Sequence, residues 1–298
     1  MKIGFPSINY EVNCKPNKKF KLQSYSEKIF LDTVKSNLEC TKKTILENIK
    51  QDYLFFRISS DIVPFASHPI CKVNWQKEFQ KEFKEIGKII KKHGMRISMH
   101  PDQFVVINSP NNEIVQRSVK ELEYHADVLH LMDLGTDAKI QIHVGGVYND
   151  KEESINRFIK NFDVLPEKVK KRLAIENDDV SYSVKDCLKI SKQTGIPIIF
   201  DYFHHECLNN KEKPFEAFIE CQKTWKKNDG IIMLDYSSQQ QGERKGKHAE
   251  TLNEDHFKEF LKQLNGQDFD LMLEIKDKEK SAKKVLIIIN LKSQRKIK

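Results

Sequence analysis

Glycine is scarce in this chain, with 11 among 298 residues. No GxGxxG pattern follows the first apolar run, where Gly4-Phe5-Pro6-Ser7 stands instead. That absence argues against an open doubly wound sheet with a glycine-rich phosphate loop. The six cysteines (Cys14, Cys40, Cys71, Cys187, Cys207, Cys221) form no CxxC pair. A zinc ribbon and a small disulfide scaffold are therefore disfavoured, and all six are expected to be reduced and structural. No apolar run approaches the roughly 20 residues that span a bilayer. The first six residues lack the layout of a signal peptide and read as a strand. These absences describe a soluble, intracellular protein.

What is present is charge, and it is unevenly placed. The formal net charge is +8. From residue 276 to residue 298 there are nine basic and two acidic residues, so seven of the eight positive charges lie at this end. A basic end of this kind suits nucleic acid or simply solubility. The 39% apolar content is enough for a substantial core.

Short β-branched or apolar runs alternate with longer helix-periodic stretches. Strands are predicted at 2–5, 54–58, 96–99, 139–143, 172–176, 197–201, 231–236 and 269–274. Helices are predicted between them at 26–50, 75–93, 112–132, 151–162, 183–194, 214–224 and 254–264. Such alternation implies parallel strands joined by crossover helices. Eight units in about 300 residues predict a single (β/α)8 barrel. The barrel is expected to occupy 1–282, with 283–298 fraying into a basic C-terminal segment.

The active site of such a barrel lies at the C-terminal ends of its strands. Seven of the eight predicted strands bring a ligand-type residue there. These are Asp61 and His68 after strand two, His100, His143, Glu176, Asp201 with His204, Asp235 with His248 further on, and Glu274. His93, His125, His130 and His256 fall in predicted helices and read as surface or packing residues. A mixed imidazole and carboxylate set without cysteine points to a cluster of two or three divalent ions. Manganese or zinc suits such a set, and magnesium is an alternative. Paired ions hold a phosphate and activate water, so phosphodiester cleavage is the natural chemistry. Sugar or sugar-phosphate isomerisation on the same barrel is the rival. Gln103 and Phe104 follow His100 at a loop tip, where an amide and a ring can enter a duplex and stack on bases.

The chain resembles the UV damage endonucleases, relatives of the xylose-isomerase-like barrels, from Gly4 to Glu279. The matching motifs are FRIS at 56–59, PFASHP at 64–69, SMHPDQF at 98–104, IHVGG at 142–146 and IEND at 175–178. FDYFHH at 200–205, YSSQ at 236–239, GKHA at 246–249 and LEIKDKE at 273–279 complete the set, in order. The resemblance implies metal-binding roles for His100, His143, Glu176, Asp201, His204, His248 and Glu274, and a site role for His68. Asp235 stands where the family usually has a histidine, and an aspartate still ligates. Catalytic roles fall to Glu176, Glu274 and His68. Gln103 and Phe104 are implied to probe the lesion, and Phe5 to pack near it. Arg57, Lys245 and Lys247 are candidate phosphate contacts. The implied partner is damaged double-stranded DNA, cut immediately 5′ to the lesion by a monomer. Met233 stands where some members carry a modified lysine, and methionine cannot carry that group. Phe104 lacks the hydroxyl of the tyrosine often found there.

Overall fold

The computed structural model describes residues 1–264 and 266–295, with side chains described as far as residue 291. Eight parallel strands close into a barrel in sequence order. They are β1 (Ile3–Pro6), β2 (Phe55–Ile58), β3 (Arg96–Met99), β4 (Lys139–His143), β5 (Leu173–Glu176), β6 (Ile198–Asp201), β7 (Met233–Tyr236) and β8 (Asp270–Leu273). β1 pairs with both β2 and β8, which closes the ring. The predicted (β/α)8 architecture is the observed one. Each predicted strand lies within two residues of its observed start and one of its end.

Strand side chains alternate between two environments, as strand geometry requires. One set, including Phe56, Ile97, Ile140, Ile175, Phe200, Leu234 and Leu271, packs outward beneath the helices. The inward set forms three layers, a pattern familiar from such barrels. At the base, Arg96 pairs with Asp270 at 3.8 Å, and Lys139 binds Asp229. Phe55, Ala174, Ile199, Met233 and Met272 form an apolar middle layer. The top layer is polar and is described below. Met233 thus lies under the site in a hydrocarbon environment. Gly4 is required where β1 meets β2, because a Cβ there would come within 1.4 Å of the Phe55 carbonyl oxygen.

The helices begin where short polar side chains cap them. Ser26 accepts from the Ile29 amide, Asp150 from Glu153, and Asn253 from His256, satisfying amides that lack intrahelical partners. Gly195 ends the helix Val184–Thr194 in the left-handed region, at φ 71°.

Four sequence expectations are corrected. The predicted helix at 75–93 is two helices, Trp75–Glu78 and Gln80–Lys92. Phe79 breaks it with non-helical dihedrals and buries its ring in the core. A helix was missed at Tyr202–Cys207. The division at 282/283 is not a structural boundary, because the helix Glu279–Arg295 runs across it. Val285 and Ile288 on that helix are buried with the barrel core. Residues 296–298 of the basic segment lie outside the described residues. Finally, Cys14 and Cys40 form a disulfide, so these two are not reduced thiols. It staples the loop after β1 to the helix Glu27–Lys50 across 26 residues of sequence, a closure that stabilises by about 3 kcal/mol in the chain-entropy account. Spacing gave no sign of it, since the fold brings the pair together. Cys71, Cys187, Cys207 and Cys221 are free. Among the described residues no helix is long and apolar enough to cross a membrane.

Candidate metal centre

The top layer of the barrel gathers residues from seven strands, β2 to β8, and one long loop. Glu176, at the end of β5, is its hub. Its Oε2 lies 3.5 Å from His100 Nε2 and 3.9 Å from His143 Nε2. Its Oε1 lies 3.0 Å from His204 Nδ1. His204 Nδ1 also lies 3.4 Å from Asp201 Oδ2. Two groups of three donor atoms result, His100–His143–Glu176 and Glu176–Asp201–His204. Within each group the atoms are no more than 4.8 Å apart. His248 joins at the other side, with Nδ1 3.6 Å from Glu274 Oε2 and its ring 5.6 Å from that of His204.

Local structure aims these groups. Asp201 caps the helix Tyr202–Cys207 by accepting from the His204 amide at 2.6 Å. That bond commits Oδ1 and leaves Oδ2 facing the centre. Asn177 and Asp201 bond reciprocally through side chain and backbone, which locks β5 to β6. The His204 ring Nδ1 also lies 3.0 Å from the Asn177 carbonyl, and His100 Nδ1 lies 2.7 Å from that of Pro101. His248 Nδ1 is 3.0 Å from the Glu274 carbonyl. Anchoring Nδ1 in this way leaves His100 Nε2, which faces Glu176, for a ligand; in His204 and His248 the nitrogen beside the carboxylates is the same Nδ1 that meets the backbone. Gly246 lets the loop bearing His248 close over the rim. Its φ is +81°, and a Cβ would reach 2.0 Å from Asp179 Oδ2.

Arg57 and Gln141 form the floor of the layer. Arg57 Nη2 donates to Asp235 Oδ2 at 2.7 Å and to Gln141 Oε1 at 2.8 Å, and Nη1 donates to Glu274 Oε1. Gln141 Nε2 in turn donates to Glu176 and to Asp235. This arrangement corrects the reading of Arg57 as a DNA phosphate contact. It is 5% exposed, because its position on β2 faces the barrel axis. Gln141 was missed altogether. Its signal was available: Lys139, Gln141 and His143 place a polar residue at every second position of β4, marking an inward face.

Charge in so dry a space has visible consequences. Burial opposes ionisation of Glu176, but His143, His100 and His204 outweigh it and hold the carboxyl well below the usual range. Glu274 is held down to about 2, since Arg57 more than offsets its burial. Asp201 moves the other way, well above the usual range. Burial drives that shift, His204 resists it, and the charges of Glu176, Glu274 and Asp235 add to it. Burial likewise lifts Asp235 to about 7 against the pull of Arg57. Four carboxylates at close quarters do not all ionise on their own; they need cations. His143 Nδ1, Asp201 Oδ2 and Asp235 Oδ1 are buried without a hydrogen-bond partner. Orphaned lone pairs, hard oxygen donors and imidazoles together suit a divalent ion.

Other candidates lie apart. Phe5 does not reach the rim. It is fully buried, edge-on to Tyr53 at 5.4 Å and Phe56 at 6.3 Å, because its β1 position faces the helix layer. His68 is exposed and accepts from the Ile70 amide, outside both donor groups. It lines a cavity of about 640 Å³ together with Gln103, Phe104, Val106, Arg117 and Tyr148. Phe104 stands 77% exposed at that cavity. His205 packs against Phe200, away from the centre. Two helix histidines prove to be braces. His125 Nε2 lies 2.9 Å from Ser60 Oγ, which donates to the His100 carbonyl at 2.7 Å. His256 lies 2.7 Å from the Tyr236 hydroxyl and 3.0 Å from Glu206, tying down the helix that carries His204.

With this geometry in view, comparison with known proteins is decisive. The chain matches the family described as UV-endonuclease UvdE over residues 6–298. The chain belongs to the UV damage endonuclease family. A UV DNA damage endonuclease of Clostridium perfringens (strain 13 / Type A) is 38% identical over 288 residues, 96% of this chain and 70% of that protein. One from Bacillus thuringiensis subsp. konkukian (strain 97-27) is 34% identical over 292 residues, 94% of this chain and 91% of that protein. The crystal structure of SacUVDE superposes with a TM-score of 0.93 at 49% identity, covering 97% of this chain and 99% of that one. D-psicose 3-epimerase from Clostridium cellulolyticum H10 shares the barrel at a TM-score of 0.52 but only 13% identity, over 78% of this chain and 79% of that one. That likeness extends to the fold alone and leaves the isomerase alternative weak. Membership of the UV damage endonuclease family makes the chain an enzyme, a DNA-repair endonuclease.

Proposed function

We propose that this enzyme is a metal-dependent endonuclease that nicks the DNA backbone immediately 5′ to UV photoproducts and other distorting lesions. The observation that carries the reading is the pair of donor groups sharing Glu176. His100, His143 and Glu176 would hold one divalent ion, and Glu176, Asp201 and His204 another, with manganese the best match to a mixed imidazole and carboxylate set. When bound, such ions neutralise phosphate charge and lower the pKa of water.

The chain's own residues do the rest. Glu176 serves both donor groups from the centre, and Glu274 presents Oε2 beside His248, where it can orient the attacking water. Gln103 and Phe104, just past His100 in sequence, line the cavity beside the centre, where they can enter a distorted duplex and stack in the space of an extruded nucleotide. Damaged DNA is cheaper to unstack, so selection rests on deformability. Lys245 and Lys247 on the loop beside His248 are candidate phosphate contacts. His68, at the adjoining cavity, fits the flank of the DNA better than the chemical centre.

Plasmid nicking tests the reading. Irradiated plasmid incubated with manganese should be nicked, untreated plasmid should not, and a chelator should stop the reaction. Equal cutting of both plasmids, or cutting that survives the chelator, would refute it.

A further inference from the structure

We infer that Arg57 is a permanent cation of the centre, standing in for a third metal ion, so that the site takes two divalent ions. The inference rests on reading the rim as a metal centre. The buried guanidinium donates to residues of the centre, namely Asp235, Glu274 and Gln141. It lies against the end of the carboxylate set that neither donor group includes. Among the described residues those groups are two in number and share Glu176, which describes two adjacent ion positions. Asp235 and Glu274 belong to neither and are held by Arg57 instead.

Charge balance agrees. Glu176, Asp201, Asp235 and Glu274 carry four formal negative charges when ionised, opposed by the one fixed charge of Arg57. Two dications then leave the centre a single positive charge in excess, which one phosphodiester neutralises. A third dication would leave three in excess within a dry cavity, a costly arrangement. An arginine is suited to the part, because its planar fork bonds two carboxylates at once and does not lose its proton. Gln141 completes the floor by joining Glu176 to Asp235. Arg57 is therefore a positioning residue: it turns one oxygen of Glu274 downward and leaves Oε2 at the rim. Asp235 Oδ1, buried and without a hydrogen-bond partner, is the lone pair a third ion would take if Arg57 were gone.

Metal counting tests this directly. Wild type, R57K and R57M are equilibrated with saturating manganese chloride, and bound manganese per folded chain is measured by mass spectrometry. The inference requires two ions in the wild type, two in R57K, which keeps the charge, and three in R57M, which frees Asp235 and Glu274. Manganese should also raise the melting temperature of R57M more than that of the wild type. Any count other than two in the wild type overturns the inference, as does a count of two in R57M. No bound manganese in any of the three would overturn the metal-centre reading itself. Should R57M not fold, the wild-type count alone decides.

Discussion

Replacing Glu176 with glutamine is the sharpest test of the centre, because one residue serves both donor groups. The carboxylate lies 3.0 Å from His204 Nδ1, 3.5 Å from His100 Nε2 and 3.9 Å from His143 Nε2. Despite burial, His143 and its neighbours hold it well below the usual carboxylate range, so at neutral pH it carries a full charge. Glutamine keeps the shape and removes that charge. At an effective dielectric of about 20, unit charges 4 Å apart interact by about 4 kcal/mol, about three powers of ten in affinity. Manganese affinity should therefore fall by at least about 1000-fold, and nicking of irradiated plasmid with it. The fold should survive, since breaking a buried pair costs about 3–5 kcal/mol and relief of repulsion with Asp201, Asp235 and Glu274 recovers part of that. Equilibrium dialysis with manganese, circular dichroism and plasmid nicking measure the three quantities. A folded Glu176→Gln protein that still binds manganese and cuts within about tenfold of wild type would refute the assignment.

Three further outcomes are expected. Phe5→Ala should destabilise the protein by about 3–5 kcal/mol, the cost of emptying a buried aromatic site, with metal content unchanged in the folded fraction; an unchanged melting temperature with lost lesion selectivity would instead place Phe5 against DNA. Changing Gln103 and Phe104 to alanine should weaken binding to irradiated DNA by about 1–3 kcal/mol for each base that loses its stack, with manganese content unaltered; intact selectivity would remove both from the recognition surface. Manganese uptake should release protons near neutral pH, because burial holds the Asp235 proton up to about pH 7 and lifts Asp201 well above the usual carboxylate range. The folded carboxyl keeps its proton above the unfolded value near 3.8, so without bound metal stability falls as pH rises from about 4 to 7. Calorimetry in buffers of differing ionisation enthalpy measures the release, and uptake without protons would refute the assigned charge state.

The local pattern of the chain determined much of the barrel. Alternating runs marked all eight strands, because a parallel strand buried on one side beneath helices is written in apolar residues wherever it occurs. The same register brought His100, His143, Glu176 and Asp201 to strand ends, and a barrel can only gather strand ends at one rim. Which way each side chain points was harder to read. Phe5 and Arg57 both sit in short strands next to motif residues, yet one faces the helix layer and the other the axis. The two differ by the side of the pleat they occupy, which pairing and barrel closure select. Gln141 shows the limit most clearly: its alternation with Lys139 and His143 was visible in sequence, but its bonds to Arg57, Glu176 and Asp235 join strands up to 94 positions apart. The Cys14–Cys40 bond and the braces through Ser60 and Tyr236 belong to the same class. Periodicity is a property of neighbours along the chain, so sequence could determine the elements and the rim. Partnership across the rim depends on distances that exist only once the barrel has closed, and there the tertiary structure decided.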